Sequence, residues 1–289
     1  MKAAIQKSRI PPNRVFIIKD LRDKHFDPIW HFHSEYQLFW VSTGSGTRFV
    51  GDNVKPFNKG ELVFTGPGLP HLWRSDDIYF DKHTTDHSKG IVLYLQEDFL
   101  GTDIMQKNEL TDIKKLLQRS TRGLEFYGAT RAKAVAIINE IKNATGIYSV
   151  IRLLEMLDVL AHSKEFNYIS NERNTRPYKE AEANNMNKVY AYVMDQFKQE
   201  IKLEALASIM CMTPTSFSRY FTSKTNKSFS QFVIELRIQH ACKLLLQEEQ
   251  SIASVAYDCG FKTLSNFNKQ FRKFILQTPS IYRKQFLEM

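Results

Sequence analysis

The last hundred residues contain one helix-turn-helix pattern twice, and this duplication constrains the fold more than any other feature. The first copy spans residues 203–221 and the second spans residues 251–271. Each copy reads as a short apolar-faced helix, a tight turn and a second helix with two Phe four residues apart. These pairs are Phe217 with Phe221, and Phe267 with Phe271. Because residues four apart share one helical face, each pair predicts a buried stripe, and the opposite face must point outward.

The outward faces of the two second helices are rich in Ser, Thr, Asn, Arg and Lys. A helix that is buried on one side and polar on the other fits the major groove of DNA. Residues 229–246 have an amphipathic pattern, which predicts a rigid connector holding the two helices about one DNA turn (~34 Å) apart. The charge agrees: the chain carries a net +9, and residues 186–289 hold 14 Lys or Arg against 8 Asp or Glu. Basic charge on such a motif indicates a phosphate-facing surface.

Residues 14–100 instead have the pattern of short strands. β-branched and aromatic runs alternate with clusters of Gly, Pro, Asn and Asp, which predicts an antiparallel sandwich or barrel. The predicted strands are 15–18, 36–41, 47–50, 61–64 and 91–95. Helical spacing then predicts helices at 103–118, 130–143 and 149–163.

An apolar stripe with Leu153, Leu154 and Leu157 runs along the last of these helices. It fits either packing within one domain or a helix pair that joins two subunits.

A polar, charged segment containing Pro177 predicts a linker between the two halves. The domain organisation is therefore residues 1–168 for an N-terminal domain, 169–185 for the linker and 186–289 for the C-terminal domain. The expected fold class is α+β multidomain: an N-terminal antiparallel β-barrel with following helices, then an all-α double helix-turn-helix domain.

Several function classes are disfavoured by the sequence. No apolar run is long enough to span a membrane and the N-terminus lacks an export signal, so a cytoplasmic protein is expected. The three cysteines are scattered singly and read as small buried residues. The run from His83 to His87 has metal-ligand spacing, but its Thr-Thr-Asp interior favours a solvated loop. No nucleophile elbow, P-loop or CxxC motif is found, so no enzyme is expected.

Residues 255–274 read Val-Ala-Tyr-Asp-Cys-Gly-Phe-Lys-Thr-Leu-Ser-Asn-Phe-Asn-Lys-Gln-Phe-Arg-Lys-Phe, and residues 278–283 read Thr-Pro-Ser-Ile-Tyr-Arg. This long stretch resembles the signature of the AraC family of transcriptional regulators. One departure is Gln277, where the family usually has Gly ahead of the Thr-Pro pair. We expect a local cost in the helix-capping turn there and no change of fold.

The N-terminal half resembles the cupin-like sensor domain of the same family. The resemblance rests on residues 31–38, His-Phe-His-Ser-Glu-Tyr-Gln-Leu, and on residues 66–73, Gly-Pro-Gly-Leu-Pro-His-Leu-Trp. Metal-binding cupins use histidines and a glutamate, which map onto His31, His33, Glu35 and His71. Glu35 comes two residues early, so we expect no metal and no cofactor. In that case His31 and His71 would form hydrogen bonds within the barrel.

The resemblance implies a sequence-specific regulator that acts as a homodimer, binds double-stranded DNA and a small-molecule effector, and has RNA polymerase as a further partner. Arg219 is the expected guanine contact because Arg reaches O6 and N7 together. The implied base-reading residues are Thr215, Ser216, Ser218, Arg219, Leu264, Ser265, Asn266, Asn268 and Lys269. The implied phosphate contacts are Lys224, Lys227, Lys262, Arg272 and Lys273. The implied effector-pocket residues are His31, His33, Glu35, Trp40, Arg48, His71 and Trp73.

Two alternatives remain at this point. One is a metal-dependent cupin enzyme fused to a helical domain, which would need His31, His33 and His71 as metal ligands. The other is an architectural DNA binder that senses nothing. The aromatic residues expected in the barrel argue mildly against the second alternative, although a filled core would have the same composition.

Overall fold

The computed structural model describes residues 8–171, 180–246 and 250–287. Its contacts divide the chain into two compact units, one ending at residue 179 and the other beginning its main segment at residue 180. Of the predicted linker, residues 172–179 lie outside the described residues, whereas residues 180–185 form the start of a helix. Within the described ranges, no helix combines the length and apolarity that a membrane span needs.

The described part of the N-terminal unit contains nine strands in two sheets. The larger sheet has the order β1-β7-β2-β5-β8-β9 and the smaller one has the order β4-β3-β6. The strands are β1 (Phe16–Asp23), β2 (Tyr36–Thr43), β3 (Gly46–Val50), β4 (Asn53–Phe57), β5 (Leu62–Thr65), β6 (His71–Ser75), β7 (Ser88–Leu95), β8 (Leu124–Phe126) and β9 (Phe166–Tyr168). Neighbours in the larger sheet pair antiparallel, as do β3 and β6. The five predicted strands are confirmed, and β4, β6, β8 and β9 were not predicted.

The two faces of the larger sheet pack against different partners because successive residues of a strand point to opposite sides. In β7, Ile91 and Leu93 join the core formed with the helices, whereas Val92 and Tyr94 join the core formed with the smaller sheet. In β2, Trp40 packs on the helix side. A role for Trp40 in a pocket between the sheets, as predicted, is therefore wrong.

Four helices in the described N-terminal unit cover the outer face of the larger sheet. They are α1 (Thr102–Met105), α2 (Thr111–Ser120), α3 (Gly128–Asn143) and α4 (Gly146–His162). The helix predicted at 103–118 is interrupted, because a 3-10 turn at Asn108–Leu110 separates α1 from α2. The other two predicted helices are confirmed.

The apolar stripe of α4 is part of the core of its own domain. Leu153 and Leu157 are fully buried against the sheet and the neighbouring helices. The interpretation of this stripe as a contact between subunits is therefore wrong. The exposed apolar side chains of α4 lie near its start and are Ile147, Tyr148 and Ile151.

The described C-terminal unit is helical, as predicted. Its helices are α5 (Glu180–Gln196), α6 (Leu203–Ile209), α7 (Pro214–Thr225), α8 (Phe229–Leu244), α9 (Ile252–Asp258), α10 (Leu264–Ile275) and α11 (Pro279–Leu287). The duplicated motif forms the pairs α6–α7 and α9–α10, and α8 connects them.

Side-chain caps begin α7 and α10 in the same way. Thr213 accepts a hydrogen bond from the backbone N–H of Ser216, and Thr263 accepts one from Asn266. Each cap satisfies one of the backbone donors that a helix start leaves without an intrahelical partner. The predicted cap of the last helix is also confirmed, since the backbone N–H of Ile281 lies 3.3 Å from the Thr278 hydroxyl.

Both α7 and α10 end on a residue in the left-handed conformation. These residues are Asn226, with φ of 54°, and Leu276, with φ of 64°. The sequence prediction placed the unusual position at Gln277, which is one residue late: the left-handed helix cap is Leu276. Asn tolerates this conformation, whereas the β-carbon of Leu clashes with its own backbone there.

Arg237 of α8 connects two backbone segments, the chain that follows α5 and the turn between α9 and α10. Its guanidinium donates hydrogen bonds to the carbonyl oxygens of Phe197 (2.7 Å), Gln199 (2.6 Å) and Gly260 (2.7 Å). Gly260 has φ of 83°, and a β-carbon there would lie 2.3 Å from the Lys198 carbonyl oxygen. The turn between α9 and α10 is thus held closely against the chain that follows α5.

Candidate nucleic-acid interface and N-terminal cavity

The helix α7 presents a polar face opposite its buried Phe stripe. Phe217 and Phe221 are fully buried and make edge-to-face contacts with Phe229 and Phe232 of the connector helix. The predicted base-reading residues lie on the other side: Thr215, Ser216 and Arg219 are exposed, and Ser218 is half-buried. The Ser216 hydroxyl is within 3.0 Å of the Thr213 hydroxyl, so this serine also belongs to the helix cap.

The helix α10 repeats this arrangement. Phe267 and Phe271 are fully buried in the core of the second helix-turn-helix. The predicted base-reading residues are half-buried at Leu264 and exposed at Ser265, Asn266, Asn268 and Lys269. Arg272 and Lys273 are exposed in the last turn. Both helices are therefore anchored by buried Phe side chains on one face and present hydrogen-bonding side chains on the opposite, outward face.

The predicted phosphate contacts differ in their surroundings. Lys262 forms an ion pair with Glu200 (2.8 Å), and this contact lowers the pKa of the Glu200 carboxyl. Both side chains are largely exposed, so the pair is weak and a phosphate can compete for the lysine. Lys227 instead pairs with the mostly buried Glu235, which neutralises much of its charge. Lys224 is half-buried and lies over the ring of Tyr220.

The N-terminal unit contains a cavity of about 100 Å³ on the inner face of the larger sheet. Of the predicted pocket residues, His31, His71 and Trp73 line it. His33 packs edge-on against His71, with ring centroids 5.0 Å apart. Phe39 and Tyr94, two of the aromatic residues expected in the barrel, also line the cavity, whereas sequence reasoning missed Phe26 and Gln37, among others. The alternation of side chains along β2 could have identified Gln37, because Gln37 and Phe39 share one face of the strand and Trp40 lies on the other.

Arg48 is a structural residue beneath the cavity wall rather than part of the lining. Its buried guanidinium donates to Glu61 (2.8 Å) and to Glu125 (3.1 Å). Glu61 also accepts a hydrogen bond from the indole N–H of Trp73 (2.8 Å). The Arg48–Glu61 pair therefore fixes the orientation of Trp73, which does line the cavity.

Three histidines meet at one end of the cavity. His31, His33 and His71 each place a ring nitrogen within 4.8 Å of the others. The backbones of His31 and His71 pair with each other (3.1 and 2.8 Å), and their Nδ1 atoms contact the carbonyl oxygens of Ile29 and Leu69. The predicted hydrogen bonds of these two histidines are thus confirmed. Burial lowers the pKa of His33 and lowers that of His71 well below the ordinary histidine value.

The four residues that map onto the metal-cupin pattern do not come together as that pattern implies. The three imidazoles are close enough to share an ion. The Glu35 carboxylate, in contrast, lies beside Nδ1 of His33, at 3.7 Å. The side chain next to the Nε2 of His33 is Gln37, at 3.2 Å. Glu35 therefore takes no place in the cluster.

The chain is similar to known helix-turn-helix proteins. A family profile described as a helix-turn-helix domain matches residues 206–285. The HTH-type transcriptional activator RhaR of Mannheimia succiniciproducens is 21% identical over 270 residues, which cover 92% of this chain and 91% of that protein. The MmsAB operon regulatory protein of Pseudomonas aeruginosa is 27% identical over 264 residues, covering 88% and 76%. The crystal structure of ToxT from Vibrio cholerae O395 aligns with 95% of this chain and 99% of its own at 13% identity, with a TM-score of 0.37.

Proposed function

Because the chain belongs to the AraC type of helix-turn-helix transcriptional regulators, we propose that α7 and α10 are the two helices with which it reads DNA sequence. It is a DNA-binding regulator and not an enzyme. The observation that carries the proposal is the repeated architecture of the two helices. Each has a buried Phe pair on one side and, on the other, exposed donors and acceptors of the kind that contact base edges.

We assign separate roles to the side chains of these helices. Arg219 would contact guanine, and Asn266 and Asn268 would contact adenine, since these side chains match the hydrogen-bonding edges of those bases. Further base contacts would come from Thr215, Ser216, Ser218, Leu264, Ser265 and Lys269. Phosphate contacts, which position the protein without reading sequence, would come from Lys224, Lys262, Arg272 and Lys273.

The experiment compares Arg219→Ala with Lys273→Ala in the full-length protein, by selecting binding sites from random duplex DNA and then measuring affinities. Arg219→Ala should relax the preference at one base position and cost about 1–3 kcal/mol. Lys273→Ala should weaken binding to all sequences alike and reduce its dependence on salt concentration. Lys188→Ala removes an equal exposed charge from α5 and serves as the control. Identical selection profiles for the Arg219 and Lys273 variants would contradict these roles.

For the N-terminal unit we propose a sensor that binds a small-molecule effector in the cavity beside His71 and Trp73. The cavity and its aromatic wall support this proposal, together with the cupin-like resemblance of residues 31–38 and 66–73. In this arrangement the two sheets form the cupin-like barrel. Residues 1–168 form the sensor and 186–289 the DNA-binding domain, with α5 beginning earlier, at Glu180.

We further propose that the regulator is a homodimer and that it acts on RNA polymerase at its promoters. The exposed face of Ile147, Tyr148 and Ile151 on α4 supports the dimer, because three large apolar side chains one helical turn apart favour burial against a partner. The name of RhaR as a transcriptional activator supports the contact with polymerase.

A further inference from the structure

The wall of the cavity beside the three histidines contains a buried hydrogen-bond acceptor, the Nε2 atom of His71. The structure assigns the cavity a ligand class: we infer that the effector is a non-anionic small molecule that inserts a hydroxyl or ammonium donor towards the Nε2 atom of His71. This inference rests on the proposed sensor function and specifies the chemistry of that same cavity.

The protonation of His71 follows from its surroundings. The side chain is 1% exposed, and its Nδ1 lies 2.8 Å from the carbonyl oxygen of Leu69. A carbonyl oxygen can only accept, so Nδ1 carries the proton. The ring is buried against the imidazoles of His31 and His33, with centroids 4.6 and 5.0 Å away, and these neighbours cannot balance a positive charge. The ring is therefore neutral, and a neutral imidazole has one N–H only. Nε2 is therefore a bare acceptor, and among the described residues it has no hydrogen-bond partner.

The neighbouring His33 leads to the same result. His33 is buried as well, and a neutral ring whose Nδ1 donates to the carbonyl oxygen of Glu35 (2.9 Å) has no proton on Nε2. Yet that Nε2 faces the side-chain oxygen of Gln37 at 3.2 Å, which would set two acceptors against each other. The Gln37 amide resolves this conflict by turning over, so that its NH₂ donates to His33. Its oxygen then adds a further acceptor to the cavity wall.

The remaining wall decides which donors fit. Phe39, Trp73 and Tyr94 provide apolar and aromatic surface for the body of a small molecule. The charged lining residues are Asp23, Asp27 and Lys19, so carboxylates outnumber cations. A carboxylate ligand would face the lone pair of the His71 Nε2 atom and the negative charges of Asp23 and Asp27. An alcohol or amine would instead donate a hydrogen bond to that buried nitrogen. An acceptor buried without a partner is costly, so the ligand that satisfies it gains affinity.

Two measurements on the full-length protein test the inference. The first is nitrogen NMR of histidine labelled with ¹⁵N, which distinguishes protonated from bare ring nitrogens. His71 and His33 should each show a bare Nε2, with the signals assigned by His71→Phe and by comparison with His87→Phe. His87 is an exposed histidine whose Nδ1 makes the same contact with the carbonyl two residues earlier. A protonated Nε2 on His71 would overturn the inference directly, whatever the stability of the variants.

The second measurement is an NMR titration with three probes of similar shape: benzyl alcohol, toluene and benzoate. Benzyl alcohol should bind about tenfold or more tightly than toluene, and benzoate more weakly than toluene. His71→Phe should abolish the difference between alcohol and toluene, whereas His87→Phe should preserve it. Equal binding of alcohol and toluene, preference for benzoate, or no binding of any probe would overturn the inference.

A third outcome is also decisive. A transition metal that co-purifies at one per chain and is lost in His71→Phe would show that the bare nitrogens bind an ion, and would overturn the inference.

Measuring DNA binding by the same proteins distinguishes failure of this inference from failure of the proposed function. If the wild-type protein binds DNA sequence-specifically but does not discriminate among the probes, only the ligand class is refuted. If the wild-type protein does not bind DNA sequence-specifically, the proposed regulator function is refuted.

Discussion

The left-handed residue that ends α10 provides the most direct test of how local backbone geometry contributes to stability. Leu276 has φ of 64° and a side chain that is 84% exposed. Its backbone N–H still bonds to the carbonyl of Arg272 at 3.0 Å, so the helix needs this conformation at this position. Replacing Leu276 by Gly removes the β-carbon that disfavours the conformation and removes almost no buried surface.

The magnitude follows from two opposing effects. The left-handed conformation costs a residue with a β-carbon roughly 1–2 kcal/mol, which Gly avoids. Gly also makes the unfolded chain more flexible, which favours unfolding and reduces this stabilisation by about 0.4–1 kcal/mol. The net stabilisation by Leu276→Gly should therefore be about 0.5–1 kcal/mol, or a rise of about 4 °C in the melting temperature of the C-terminal unit.

The assay uses the distribution of tryptophan in the chain. All three tryptophans, Trp30, Trp40 and Trp73, belong to the N-terminal half. Thermal unfolding is followed by circular dichroism for the helices, while Trp fluorescence reports on the N-terminal unit and should not change. Asn226→Gly is the matched control at the end of α7: it should gain less than half as much, because Asn tolerates the left-handed region. A neutral or destabilised Leu276 variant, or an equal gain at Asn226, would refute the reasoning.

Two further predictions concern the N-terminal unit. Ile151→Asp should convert the proposed dimer into a monomer in sedimentation experiments, whereas Ile104→Asp, at an equally exposed apolar position on α1, should not; an unchanged dimer would exclude this face of α4. Arg48→Met should cost about 3–5 kcal/mol in urea unfolding followed by Trp fluorescence, because it leaves the buried carboxylate of Glu61 without its cation, and a loss below about 1 kcal/mol would contradict that role.

The elements with strong periodicity could be predicted from the sequence, because burial of one face imposes a regular spacing. The Phe pairs of α7 and α10 located both helices, their buried sides and their outward faces. The three-residue strands β8 and β9 were missed because three residues contain too little alternation to identify a strand.

The errors arose where the sequence shows burial but not the partner. The stripe of Leu153 and Leu157 was correctly read as apolar, yet the same pattern fits a domain core and a subunit contact. Trp40 and Arg48 have residue types common in pockets, but one faces the helices and the other is held by two carboxylates. Gln37 was overlooked because its role depends on the side chain of His33, four residues earlier on the chain.

The hydrogen bonds of Arg237 have an evolutionary consequence. Every acceptor they use is a backbone carbonyl, so the side chains at positions 197, 199 and 260 take no part in these bonds. Substitutions just after α5 should therefore leave intact the hydrogen bonds that Arg237 makes to this segment. The reverse does not hold, because no change in a partner side chain can compensate for the loss of the arginine. Substitutions on the outward face of α10 therefore leave this attachment intact, provided that Arg237 and Gly260 are kept.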